Sequence, residues 1–169
     1  HGAMRFLLKH KWKFFALMLL SLIYVNFTAT MTDVFVVLFL TLLASFSTIY
    51  KMRIKLSFGF ELVTLSTVLV TLMYGPWVGA LAGFISAMAA EIIPQMIDPS
   101  SFPWIISVAL SAFAVYALHA FGVTSLLTLG IVSFIIQIAI SEPIRIFGPP
   151  EVKMQGFLYI ITGLIWNVF

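Results

Sequence analysis

The sequence predicts an all-α fold, a polytopic integral membrane bundle forming one transmembrane domain. Two charge-free runs carry that expectation. Pro99 to Ser141 holds no Asp, Glu, Lys or Arg over 43 residues, and Leu62 to Ala90 holds none over 29. About 20 apolar residues cross a bilayer as a helix. Each run is therefore one and a half to two spans long and should fold back as a pair of helices. Composition is the third observation. Of 169 residues, 62% are hydrophobic and 9% charged, against roughly 25% charged in soluble domains.

Seven apolar segments follow, at about 14–31, 33–50, 60–74, 77–93, 103–119, 122–141 and 154–169. A bilayer requires backbones that satisfy their own hydrogen bonds, and the runs lack the alternation of a barrel, so all should be helices. Several are short for a bilayer, which implies little tilt, local thinning or a re-entrant piece. His1-Gly2-Ala3 before Met4 reads as a cloning scar, leaving 4–169 as the domain. Arg5 to Lys13 followed by an apolar stretch could open a signal peptide. The stretch lacks a clear small-residue cleavage site and leads into more apolar sequence, so it reads as an anchor helix. Asp98-Pro99-Ser100-Ser101 and Gly148-Pro149-Pro150 are loops. Trp12, Trp77 and Trp104 stand at or just before segment starts, where interfacial anchors belong.

Charge gives a topology. If all seven segments span, Arg5, Lys9, Lys11, Lys13, Lys51, Arg53, Lys55, Arg145 and Lys153 fall on one side, which the positive-inside rule makes cytoplasmic. The weakest join in this drawing is near Thr32. The net charge of +3 does not point to nucleic acid, because most basic residues sit in two short clusters and not on a folded face.

Few residues can carry chemistry. Gly75, Gly79, Gly83, Ala87 and Glu91 recur every four positions, one stripe on a helix. The small residues permit close helix packing. Glu91 extends that face with a carboxylate, either reaching the headgroups or lining a polar cavity. Glu142 and Arg145 flank Pro143, as a local ion pair or with Arg145 as an anion contact. Gln137, inside an apolar run, suits an interhelical hydrogen bond or a ligand contact, and Asn167 has the same two readings. Lys51-Met-Arg-Ile-Lys55 alternates basic and apolar residues and leads into Ser57-Phe58-Gly59-Phe60-Glu61. It reads as a topology determinant on the headgroups, or as a loop folding Phe58 and Phe60 over a ligand. The absence of cysteine removes disulfides and thiolate chemistry. No Walker, GxGxxG, HExxH or GxSxG motif is present, and His10 and His119 are isolated. No cofactor or metal is expected, and ATP-driven transport would need another subunit.

The stretch from Arg53-Ile-Lys-Leu-Ser-Phe-Gly-Phe-Glu61 to Tyr74-Gly-Pro-Trp-Val-Gly-Ala-Leu-Ala-Gly83 resembles the substrate-binding S components of energy-coupling-factor (ECF) vitamin transporters. The match lies in Gly59 of the first loop, the turn Gly75-Pro76, and Gly79 with Gly83 in the following helix. It covers about residues 33–169, its specific part about 30 residues. The resemblance implies a six-helix core, here preceded by an extra helix. It implies a pocket closed by the first loop and lined by the last helices, which points to Phe58, Phe60, Trp104, Gln137, Glu142, Arg145 and Asn167. It also implies a coupling transmembrane subunit with ATPases, met through small residues of the first core helix, here Ala44 and Thr48. Family topology would put the first loop outside, the reverse of the charge argument. Glycine-rich membrane sensor modules are similar, some with an extra leading helix, and a bacterial cell-shape protein family is a more distant likeness.

The function expected is small-solute binding for uptake, in contact with membrane lipids and without catalysis. The alternative is a sensor or scaffold module. A lipid-modifying enzyme ranks below both for want of paired carboxylates.

Overall fold

The computed structural model describes residues 31–49, 51, 62–95, 97, 101–146 and 150–168. The expected leading helix, Trp12, Phe58, Phe60 and most of the basic loop lie outside them. The described chain is all-helical, with α1 Met31–Ser47, α2 Val63–Tyr74, α3 Pro76–Ile92, α4 Ser101–Ala120, α5 Leu126–Ile146 and α6 Pro150–Val168. Its contacts divide the chain into two compact units, residues 1–39 and 40–169. The described part of the first is the start of α1, with Phe35 and Phe39 exposed and Val37 buried. The site lies wholly in the second unit.

Helix boundaries follow local chemistry. α2 and α3 are joined by Gly75 alone, which adopts φ 87°, ψ 172° and donates its N–H to Thr71 O at 2.9 Å. That conformation is open to glycine and closed to almost any other residue. Pro76 then opens α3, where its missing N–H is one the first turn would leave unpaired anyway. Gly75 thus serves the turn, and a Cβ there would meet nothing within 4 Å, so it leaves the packing stripe. At the end of α4, Gly122 takes φ 93°, and Val123 donates to Leu118 O at 3.1 Å, closing the helix as left-handed glycines commonly do. α5 differs from the sequence expectation. It continues through Pro143 to Ile146 instead of ending at Ser141.

Consecutive helices from α2 to α6 pack on one another, and α2 also packs on α4 and α5. Gly79 and Gly83 bring α2 and α3 together. A Cβ on Gly79 would run into Thr71. One on Gly83 would lie 2.7 Å from Thr67 Oγ1, 2.9 Å from Thr67 Cγ2 and 3.1 Å from Val108 Cγ1. Ala87 continues this face, fully buried. Val68, Val115 and Leu129 form a small apolar core where α2, α4 and α5 meet.

Hydroxyls share the interior with apolar side chains, and many large apolar side chains lie outside it. Buried positions include Thr64, Thr67, Thr71, Ser86, Ser107, Ser111 and Ser133, whereas Trp77, Met73, Phe121, Phe157 and Ile165 are exposed. Most buried hydroxyls are satisfied within their own helix, as in Thr67 to Val63 O at 2.8 Å and Thr71 to Thr67 O at 2.6 Å. Two described helices are long and apolar enough to cross a membrane, Ser101–Ala120 and Leu126–Pro143. α2 has 12 residues and α3 has 17. At 1.5 Å per residue, α2 rises only about 18 Å, so membrane length is reached by fewer helices than the seven segments implied.

Candidate functional site

Among the described residues, a pair of opposite charges stands inside this framework. Lys51 lies four positions beyond the end of α1, and Glu91 is in the last turn of α3. Lys51 Nζ donates to Glu91 Oε1 at 2.9 Å, with the two side chains 1% and 10% exposed. The other carboxylate oxygen, Oε2, accepts from Ser101 Oγ at 3.1 Å, at the first residue of α4. Thr48 Oγ1 donates to Ala90 O at 3.1 Å, fixing the stretch after α1 against the end of α3.

Aromatic rings border the pair. Lys51 Nζ lies 5.4 Å from the ring centroid of Trp104, within cation–π range. Trp104 is one turn along α4 from Ser101. Its indole Nε1–H donates to Tyr159 OH on α6 at 3.0 Å. Tyr159 stacks obliquely on Phe134 of α5, centroids 5.6 Å apart. Phe134 in turn lies so close to Gly163 that a Cβ there would enter its ring. The stretch after α1, α3, α4 and α6 thus each contribute to one cluster of a lysine, a glutamate, a serine and two hydrogen-bonded aromatics, with Phe134 of α5 packed behind Tyr159.

A second polar network crosses the bundle farther along α4. Thr64 Oγ1 of α2 donates to Gln137 Oε1 at 3.2 Å. Gln137 Nε2 donates to Ser133 Oγ at 3.3 Å, which donates to Ser111 Oγ at 2.9 Å, which donates to Val108 O at 2.8 Å. The chain ends on a backbone carbonyl, and the Ser133 and Ser111 hydroxyls each both give and receive. Aligned donors of this kind strengthen one another where little water reaches.

These placements change several sequence expectations. Lys51 is not a headgroup contact, because it is buried against Glu91. Glu91 neither reaches outward nor stands alone. Trp104 is 2% exposed and so is no interfacial anchor, whereas Trp77 is 70% exposed and packs edge-on against Phe113. Gln137 is fully buried with both ends of its amide held by protein, so the structure shows its interhelical hydrogen bonds to Thr64 and Ser133. Ala44 and Thr48 are fully buried within the chain, whereas Leu42, Leu43 and Phe46 of α1 are exposed. Glu142 is half-buried on α5. Arg145 and Asn167 lie on α5 and α6, their side chains outside the described residues. Tyr159, Ser101 and Phe134 were missed. Only the buried hydroxyl of a tyrosine within an apolar segment, a group that needs a partner, could have drawn attention to Tyr159.

Among the described residues no group of three His, Asp or Glu is placed to hold a metal ion. No protein-family model matches the chain, and comparisons with curated proteins and with solved structures return no match.

Proposed function

We propose that this chain is a multi-pass membrane protein that binds a small solute for uptake, with no catalysis of its own. The observation that carries this reading is the Lys51–Glu91 pair, charged and buried among Ser101, Trp104 and Tyr159. Ionisable side chains inside an apolar bundle are costly, and where they occur they commonly mark substrate pathways. A buried ion pair is a poor device for stability alone, since well-packed apolar residues often serve as well or better. The many large apolar side chains outside the bundle, together with the hydroxyls inside it, support lipid as its surroundings.

The resemblance to S components points the same way. The turn Gly75-Pro76 and the close approach at Gly79 and Gly83 supply a rigid α2–α3 hairpin, and the cluster sits at its open end. Uptake would draw energy from a coupling transmembrane subunit and ATPases, because the sequence holds no nucleotide-hydrolysing motif. That subunit would meet the exposed apolar face of α1 at Leu42, Leu43 and Phe46.

Native mass spectrometry of the protein released from detergent tests the reading. A small molecule should leave with the wild-type chain and be missing from the Lys51→Met/Glu91→Leu double variant. A chain that carries no small molecule, and in cells crosslinks only to signalling or envelope proteins, would overturn solute uptake in favour of a sensor or scaffold.

A further inference from the structure

Resting on the multi-pass reading, we infer that the bundle dents the membrane around it, with phospholipid headgroups and water descending to the α2–α3 turn, about 7 Å below the end of α4. The level of that turn follows from one shared contact. A Cβ on Gly83 of α3 would touch both Thr67 of α2 and Val108 of α4, so these three residues stand side by side. From that level α2 runs seven residues up to Tyr74 and α3 seven residues back to Pro76, each about 10 Å at 1.5 Å per residue. α4 runs twelve residues to Ala120, about 18 Å. Trp77 marks the same offset independently. Its ring meets Phe113 edge-on, centroids 5.0 Å apart, and Phe113 is seven residues short of Ala120.

The two levels ask for different surroundings. Irregular backbone facing lipid is not tolerated in hydrocarbon, because nothing there pairs its polar groups. At the turn, Pro76 brings no N–H to the carbonyl of Leu72, four residues back. Gly75, the N-cap of α3, has no side chain to cap the N–H groups of Trp77 and Val78 in the first turn of that helix. The turn's own bonds run from Gly75 N–H to Thr71 O and from Gly79 N–H to Gly75 O, and serve other groups. Met73 and Trp77 are exposed on its flank, so water and headgroups can reach it, and tryptophan is at home at that depth. Around α4 the requirement is the opposite. Its 20 residues rise about 30 Å, the usual hydrocarbon thickness. Phe121 just beyond it is 87% exposed, and Leu126 and Leu127 at the start of α5 are exposed as well. Hydrocarbon thus continues past the level of the turn on that side. One membrane meets both levels if its surface dips beside α2 and α3.

The test places one nitroxide at a time on the full chain, which has no cysteine of its own. The sites are Met73→Cys in the last turn of α2 and Ala120→Cys at the end of α4, both exposed. In vesicles of dioleoylphosphatidylcholine, depth is read from collisions of the label with oxygen and with a water-soluble nickel chelate. Both labels should lie at one depth, level with the phosphates, although the helices set them about 9 Å apart along the bundle. Deforming a bilayer to fit a short segment is costly, and a thinner bilayer needs less deformation. Tm should therefore be highest in dimyristoleoylphosphatidylcholine, lower in the dioleoyl lipid and lowest in the dierucoyl lipid.

A Met73 label about 9 Å deeper than the Ala120 label overturns the dent and puts the turn inside the bilayer. Labels at one depth with a Tm indifferent to chain length overturn it too, since the bundle then tilts and leaves the lipid undeformed. Either result leaves the multi-pass reading standing. If alkaline carbonate strips the chain from the vesicles and both labels meet the nickel chelate freely, the multi-pass reading falls and the dent with it.

Discussion

Removing one member of the Lys51–Glu91 pair takes from the other a buried partner at 2.9 Å, whereas removing both removes the two charges together. Breaking a buried pair by removing one partner costs about 3–5 kcal/mol, and replacing both by packed apolar groups is often neutral. Lys51→Met and Glu91→Leu should therefore each lower Tm in detergent strongly, and the double variant should melt close to wild type. Thermal melts of the four proteins form a double-mutant cycle. Strictly additive losses would mean that the two charges do not interact in solution. Trp104→Phe probes the next contact outward. It keeps a ring beside Lys51 but deletes the indole N–H that bonds Tyr159 OH. Hydrogen bonds in such settings contribute about 0.5–1.5 kcal/mol net, so a small loss of Tm is expected. A Tyr159→Phe background should absorb most of it, because the acceptor has then already gone. Undiminished loss in that background would show that the ring itself, and not the bond, matters.

Between helices, the contacts differ in how openly the sequence announces them. Gly79, Gly83 and Ala87 recur every four residues, and a helix lays such residues in one stripe, so the packing face of α3 was legible before its partner was known. The turn at Gly75-Pro76 was legible for the same local reason. Gly163 against Phe134 was not, because a single glycine has no period and its partner is on another helix. The Lys51–Glu91 bond joins residues 40 positions apart. Sequence placed Lys51 among loop basic residues and Glu91 at a helix end, and only the return of α3 toward the end of α1 brings them together. Gln137 was open to two readings until Thr64 and Ser133 appeared on either side of its amide. Two substitutions separate the roles of the glycines. Gly83→Leu overfills the α2–α3 contact and should cost about 1–3 kcal/mol, read as a lower Tm in detergent. Gly75→Ala meets no neighbour yet forces alanine into φ 87°, ψ 172°. Residues held in such conformations cost of order 1–3 kcal/mol, so it too should destabilise. A Gly75→Ala protein that melts like wild type would mean that this turn relaxes into another geometry.

Alternation along the bundle places the end of α1, the end of α3 and the start of α4 together, which is where Lys51, Glu91 and Ser101 meet. The turn at Gly75 and the connection 121–125 fall at the other end by the same alternation. In the sequence the cluster's Lys51 is followed by two further basic residues, Arg53 and Lys55. Lys51 is buried against Glu91 and so drops out of the charge count that the topology expectation used, which still rests on Arg53, Lys55, Arg145, Lys153 and the four basic residues before the first apolar segment. Under the proposed multi-pass reading, the positive-inside rule would put the cluster near the cytoplasmic face and the 121–125 connection outside. Because the chain has no cysteine, single reporters can be introduced without background. Ser125→Cys, at an exposed position between α4 and α5, should react with a membrane-impermeant maleimide on intact cells. Ser57→Cys should react only after the cells are opened. The reverse pattern would place the first loop outside, as in S components, and would make the site one that is loaded from the exterior. Labelling of both positions on intact cells would mean that an odd number of the segments between residues 57 and 125 fails to cross, and the even alternation that unites α1, α3 and α4 at one end of the membrane would have to be abandoned.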